Sequence, residues 1–167
     1  MSPAFEFIAR AVLIGAGATA LLDLWSAALQ RFAGMPSPNW AFVGRWIGHV
    51  FRGRFTHASI AKAAPVSGER ALGWVAHYAI GIGFATALLG LAGRDWARDP
   101  TALPALALGI ATVVFPFLVL QPGMGLGFAA SKSPNPVQAR LRSLMTHAVF
   151  GVALYVAAAI AARVLQG

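Results

Sequence analysis

Four apolar segments, each long enough to cross a lipid bilayer, constrain this chain more than any other feature of its sequence. A hydrocarbon core of about 30 Å takes about 20 helical residues to cross. No water reaches the peptide groups inside it, so such a segment must satisfy its own hydrogen bonds as a helix. The first segment covers residues 3–32, where Ser2 and Pro3 suit an N-cap and first helical residue and Gly34 suits a stop. The second follows PVSG, with Ser67 as a candidate cap, and covers 68–92. The third, 101–120, is expected to end at the helix-breaking Gln121-Pro122-Gly123. The fourth, 136–166, opens on Asn135 and Pro136 as cap and first residue. Composition agrees: 58% of residues are hydrophobic and 11% charged, with mean hydropathy +0.69, against roughly 25% charged in an average soluble domain. The expected fold is all-α, a four-helix transmembrane bundle forming a single integral-membrane domain over residues 1–167.

The net charge of +8 would suggest nucleic acid on a soluble protein. On a chain with four spans it sets topology instead, and the expected partner is the lipid bilayer rather than nucleic acid. Arg31, Arg45, Arg52, Arg54, Lys62 and Arg70 fall between the first two spans, and Lys132, Arg140 and Arg142 between the last two. Only Arg10, Arg94, Arg98 and Arg163 fall on the other side, so nine of the 13 basic residues share one face of the membrane. The positive-inside rule places both of those connections in the cytoplasm of a bacterial inner-membrane protein, with the termini and the GRDWARDP hairpin periplasmic. The first apolar run is unlike a signal peptide, because it lacks a basic leader, is long and is interrupted by Asp23.

The first connection has a pattern of its own. With Ser37 and Pro38 as cap and proline at its start, Trp40, Val43, Ile47, Val50 and Phe51 are spaced for one helical face, while Arg45, His49 and Arg52 lean to another. The stripe is too short to span and suits a short amphipathic helix lying among lipid headgroups. A lid over a site is the alternative.

Polar residues within the spans locate a candidate site. His77 and His147 are each followed four residues later by glycine, Gly81 and Gly151, and the loop repeats the spacing at His49 and Gly53. Counted from the cytoplasmic helix ends at about 1.5 Å per residue, Asp23, His77 and His147 reach similar depths, within roughly one turn. An ionisable residue in a span costs about 2.5–3.5 kcal/mol on insertion scales and therefore faces the protein interior. Gln121 at the inner end of the third span, and His49, His57 and Glu69 in the loop, are further candidates. A glycine beside each imidazole admits either a neighbouring backbone or a flat ligand. Three chemistries use this set: interhelical hydrogen bonds alone, a protonic or metal-ion site of imidazole and carboxylate, or a haem between two histidines. Pro116 and Pro122 free carbonyls in the third span that need a partner.

Other chemistries are excluded. Without cysteine there is no disulfide, thiolate metal site or cysteine nucleophile. No H-E-x-x-H occurs, QPGMGLGFAASKS lacks the phosphate-loop pattern, and no serine lies in G-x-S-x-G.

The phrases GATALLDLW, NWAFVGRWIGH, GRFTHASIA, GERALGWVAHYAIG, QPGMGLGFAASKSPNP and RLRSLMTHAVFG together resemble a bacterial family of small integral-membrane proteins, the domain of unknown function DUF2938. The resemblance runs from about Gly15 to Tyr155. It implies a four-span inner-membrane protein and assigns no catalytic residue. Three functions fit the sequence: an ion-, metal- or haem-binding membrane protein in transport or electron transfer; a membrane enzyme acting on a lipid or quinone headgroup; and an accessory or assembly subunit, in a homo-oligomer or with a membrane-protein partner, whose polar groups only join helices. The charge count makes one firm expectation. Reporter fusions after Gln166 are expected to read periplasmic and fusions in the 51–56 stretch cytoplasmic, and the reverse pattern would invert the topology.

Overall fold

A computed structural model describes residues 2–166, and every regular element among them is helical. Helix α1 is Pro3–Ala33, α2 Trp40–Val50, α3 Glu69–Arg98, α4 Ala102–Ala111, α5 Gln121–Met124 and α6 Pro136–Gln166, with 3₁₀ turns at Ile60–Lys62 and Phe128–Ala130. Four stretches, Pro3–Ala33, Glu69–Arg98, Ala102–Met124 and Pro136–Leu165, are long and apolar enough to cross a membrane. The chain divides into two compact units. One comprises Met1–Ser37, Tyr78–Ala111 and Thr146–Gly167, the other Pro38–His77 and Thr112–Met145.

Local chemistry fixes most helix ends where the sequence places them. The Ser2 hydroxyl accepts from the Phe5 amide at 3.3 Å ahead of Pro3, and Gly34 turns left-handed at φ 65°. Asn135 accepts from the Gln138 amide at 3.1 Å ahead of Pro136. Two ends differ from expectation. Helix α2 is capped by Asn39, whose side chain accepts from the Ala41 amide, while Ser37 donates instead to Gln30 at 2.8 Å. The third span does not stop at Gln121-Pro122-Gly123. It continues through a π-helical stretch, Pro116–Leu120, into α5 and ends at Gly125, φ 94°. The Gln121 amide reaches back five residues to the Pro116 carbonyl, and Pro122, which supplies no amide, follows within the same helical run. The carbonyl of Thr112, freed by Pro116, accepts from the Phe115 amide at 3.1 Å.

In the first unit, alanine and leucine from α1, α3, α4 and α6 form the core, with Ile14, Ala18, Ala85, Ala105, Leu154 and Ala158 fully buried. Small residues let backbones meet. A Cβ on Gly15 would fall on Ile82 of α3, one on Gly81 would fall on the Thr19 hydroxyl, and one on Gly109 would fall on Gly151 of α6. Where the solvent is lipid, such packing replaces hydrophobic exclusion as the force that joins helices. The apolar run of α3 ends at Ala92 because Gly93 leaves helical geometry at φ 84°, ψ 176°. Nearby, Arg10 is 3% exposed, paired with Glu6 at 3.0 Å and donating to the Ala97 carbonyl at 2.7 Å.

Gly109→Ala is expected to lower the midpoint of thermal unfolding in detergent, by about 1–3 kcal/mol of overpacking. Gly83→Ala and Gly90→Ala, whose new methyl meets nothing within 4 Å, are expected to leave stability unchanged or raise it by up to about 1 kcal/mol of helix propensity.

Candidate functional site

The second unit holds the polar chemistry. Its first layer is the crossing of α2 over the start of α3, where the backbones touch: a Cβ on Gly44 would fall on the Glu69 carbonyl and one on Gly73 on the Trp40 carbonyl. That approach brings Arg45 to Glu69. Arg45 Nε lies 2.8 Å from Glu69 Oε2 and Nη2 lies 2.7 Å from Oε1, a two-pronged ion pair. Arg45 Nη1 donates to the carbonyls of Ile60, Ala61 and Ala63 at 3.2–3.3 Å, and Glu69 Oε2 also accepts from the Val66 amide at 2.9 Å. The hydrogen bonds to Glu69, with its negative charge, raise the pKa of Arg45 above the ordinary guanidinium value. The sequence carried a signal for this pair: Glu69 is the only acidic residue between Asp23 and Asp95.

Beside the ion pair lie two histidines. His49 Nε2 is 2.9 Å from the Ala64 carbonyl, and its ring meets His57 edge to face, centroids 4.9 Å apart. His57 is 6% exposed. Its amide and its ring Nδ1 both reach the Gly123 carbonyl, at 3.0 and 3.1 Å. A carbonyl only accepts, so Nδ1 carries the hydrogen, and in the neutral form of the ring Nε2 is then an acceptor. Among the described residues that nitrogen is buried without a partner, as is Oε1 of Gln121, whose amide donates to Ser143 at 3.2 Å. Trp46 closes the cluster, donating to the Phe55 carbonyl at 2.9 Å and packing on Gly123, where a Cβ would meet its indole nitrogen.

The remaining candidates have other neighbours. His77 stacks on Trp40, centroids 3.7 Å apart and planes 23° apart, with Trp74 at 5.8 Å; all three belong to the second unit. Asp23 and His147 belong to the first. Asp23 accepts from the Tyr78 hydroxyl at 3.1 Å, and His147 hydrogen-bonds to the backbone of Gly109. The three His-x-x-x-Gly pairs divide by role: Gly81 and Gly151 receive neighbouring helices, and Gly53, φ 76°, turns the chain after α2. Among the described residues no group of three or more His, Asp or Glu is placed to hold a metal ion. In the glycine-rich stretch, the amides of Ala130, Ser131, Lys132 and Ser133 all bond to backbone carbonyls, so none of these four is left for a phosphate.

A helical chain with four stretches able to cross a membrane, and a second unit that joins its long connections to the ends of three of those stretches, defines the class. Residues 12–161 match the family described as Protein of unknown function (DUF2938), and the chain belongs to that family. No curated protein and no solved structure matches it.

Removing one partner of a largely buried ion pair costs about 3–5 kcal/mol. Arg45→Met and Glu69→Gln are each expected to lower the unfolding midpoint strongly, and Arg45→Lys to restore little, because an ammonium cannot make the fork and reach three carbonyls together. Equal stability of Arg45→Lys and the parent would show the pair to be a simple charge contact.

Proposed function

We propose that the chain is a bacterial inner-membrane protein, its long connections cytoplasmic, that binds the neutral hydroxyl or N–H group of a membrane-borne ligand, a lipid or quinol headgroup, at His57. The single observation that carries this is the bare Nε2 of His57 in the interior of a folded polar unit. An unpaired buried acceptor costs about 1–3 kcal/mol, so a fold that keeps one gives it a partner in its working state. Gln121 Oε1 and the Ser133 hydroxyl are also buried without a partner in the same unit, and an acceptor such as Nε2 selects a donor. Charge disfavours a metal ion or haem iron here. The unit carries Arg45, Arg52, Arg54, Lys62, Arg70, Lys132, Arg140 and Arg142, and its one carboxylate, Glu69, is committed to Arg45. A second reading, an accessory subunit with purely structural polar contacts, is favoured by the aromatic stack on His77 and the backbone bond of His147.

His57→Asn separates the two, since its amide can still donate to Gly123 while the shorter side chain leaves no acceptor at the position of Nε2. Long-range ¹H–¹⁵N spectra of the detergent-solubilised protein are expected to show Nε2 of His57 unprotonated. Its resonance is expected to shift on titration with a short-chain ubiquinol or a monoacylglycerol, with binding of the active probe weakened roughly fivefold in His57→Asn, the worth of one hydrogen bond. A resonance that ignores both probes, with no loss of binding in the variant, gives the accessory reading.

A further inference from the structure

The turn that follows α2 is built as a contact surface. Phe51-Arg52-Gly53-Arg54-Phe55 is exposed along its whole length, with Phe51 81% and Phe55 61% accessible. Two large aromatic side chains facing outward in a flexible loop would need no explanation, but this turn is rigidly bonded. The Phe51 amide donates to Ile47 at 3.1 Å, Arg52 and Arg54 donate to the His49 carbonyl at 2.9 and 3.0 Å, and Gly53 donates to Val50 at 2.9 Å. Trp46 holds the far side through the Phe55 carbonyl. Gly53 at φ 76° makes the reversal possible. The amides from Phe51 to Arg54 and the Phe55 carbonyl are bonded internally, and the four side chains are presented to an outside partner.

Their chemistry names that partner. Neither guanidinium of Arg52 and Arg54 has a partner among the described residues, and no acidic residue occurs from Phe32 to Gly68. The one carboxylate that follows, Glu69, is already forked by Arg45. Two free guanidinium groups set between two phenyl rings match a surface that offers anionic oxygens at one level and hydrocarbon just beneath it. We propose that this turn docks on anionic phospholipid, the arginines on headgroup phosphates and the phenyl rings at the acyl boundary, and so holds the first connection against the membrane surface. An acidic protein surface would satisfy the arginines but offers no continuous apolar layer below them.

The chain has no cysteine, so one introduced at exposed Thr56 carries a single nitroxide label. The full-length Thr56→Cys protein is reconstituted into phosphatidylcholine vesicles and into vesicles of phosphatidylcholine with one quarter phosphatidylglycerol, and label depth is read from relaxation by oxygen and by an aqueous nickel chelate. Oxygen is expected to dominate in the phosphatidylglycerol vesicles. Arg52→Gln with Arg54→Gln should abolish the difference between the two lipids, and Phe51→Ser with Phe55→Ser should return the label to water. A basic residue near an anionic surface contributes about 1 kcal/mol, so the double arginine change should raise the phosphatidylglycerol content needed for half-insertion severalfold. Circular dichroism and unfolding midpoint are expected to be unchanged, because these side chains hold nothing in the fold. A label equally exposed to nickel in both vesicle types overturns the proposal, as does insertion that the arginine changes leave intact.

Discussion

The fork between Arg45 and Glu69 is the interaction on which the second unit depends. One guanidinium fixes the carboxylate at the start of α3 and the carbonyls of the 3₁₀ turn at Ile60–Lys62, while the same carboxylate holds the Val66 amide. Separately, each charge would carry a desolvation cost of several kcal/mol; together, with four further hydrogen-bonding groups arranged around them, the cost is offset. Gly44 and Gly73 make this geometry possible, since any side chain at either would push α2 off α3 and pull the fork apart. The histidines follow from that frame: His49 is one turn beyond Arg45 on α2, and His57 returns against it once the chain has reversed at Gly53.

Two kinds of glycine work in this chain. In the first unit Gly15, Gly81, Gly109 and Gly151 bring helices into backbone contact, and the imidazole that precedes two of them serves a different neighbour. In the second unit Gly53 and Gly125 supply left-handed turns, and Gly123 leaves room for Trp46 while its carbonyl receives His57. Sequence spacing alone makes these alike, because His-x-x-x-Gly states that two residues share a helical face and says nothing of what faces them.

Much of the fold was legible. The four spans, the caps at Ser2 and Asn135, the stop at Gly34 and the helix at Trp40–Val50 all rest on interactions a few residues long. The extension of the third span through Pro116 and Pro122 was not legible, since two prolines read as breakers unless a π-helical register absorbs them. Of the candidate site, the sequence supplied the titratable residues but weighted them by depth in the spans. It therefore ranked His77, His147 and Asp23 above His57, whose bare nitrogen is defined only by a carbonyl 66 residues away.

By itself the sequence determined the number of spans, their helical state and the basic bias of two connections, because transfer of apolar side chains and local satisfaction of peptide groups are additive along the chain. Tertiary structure alone decided which of six basic residues in the first connection meets Glu69, 24 residues away, which imidazole is stacked and which is left with an open acceptor, and which face of the turn at Gly53 is presented outward. Those outcomes depend on where backbones approach to within a glycine's width, and that approach is set by all the packed elements at once.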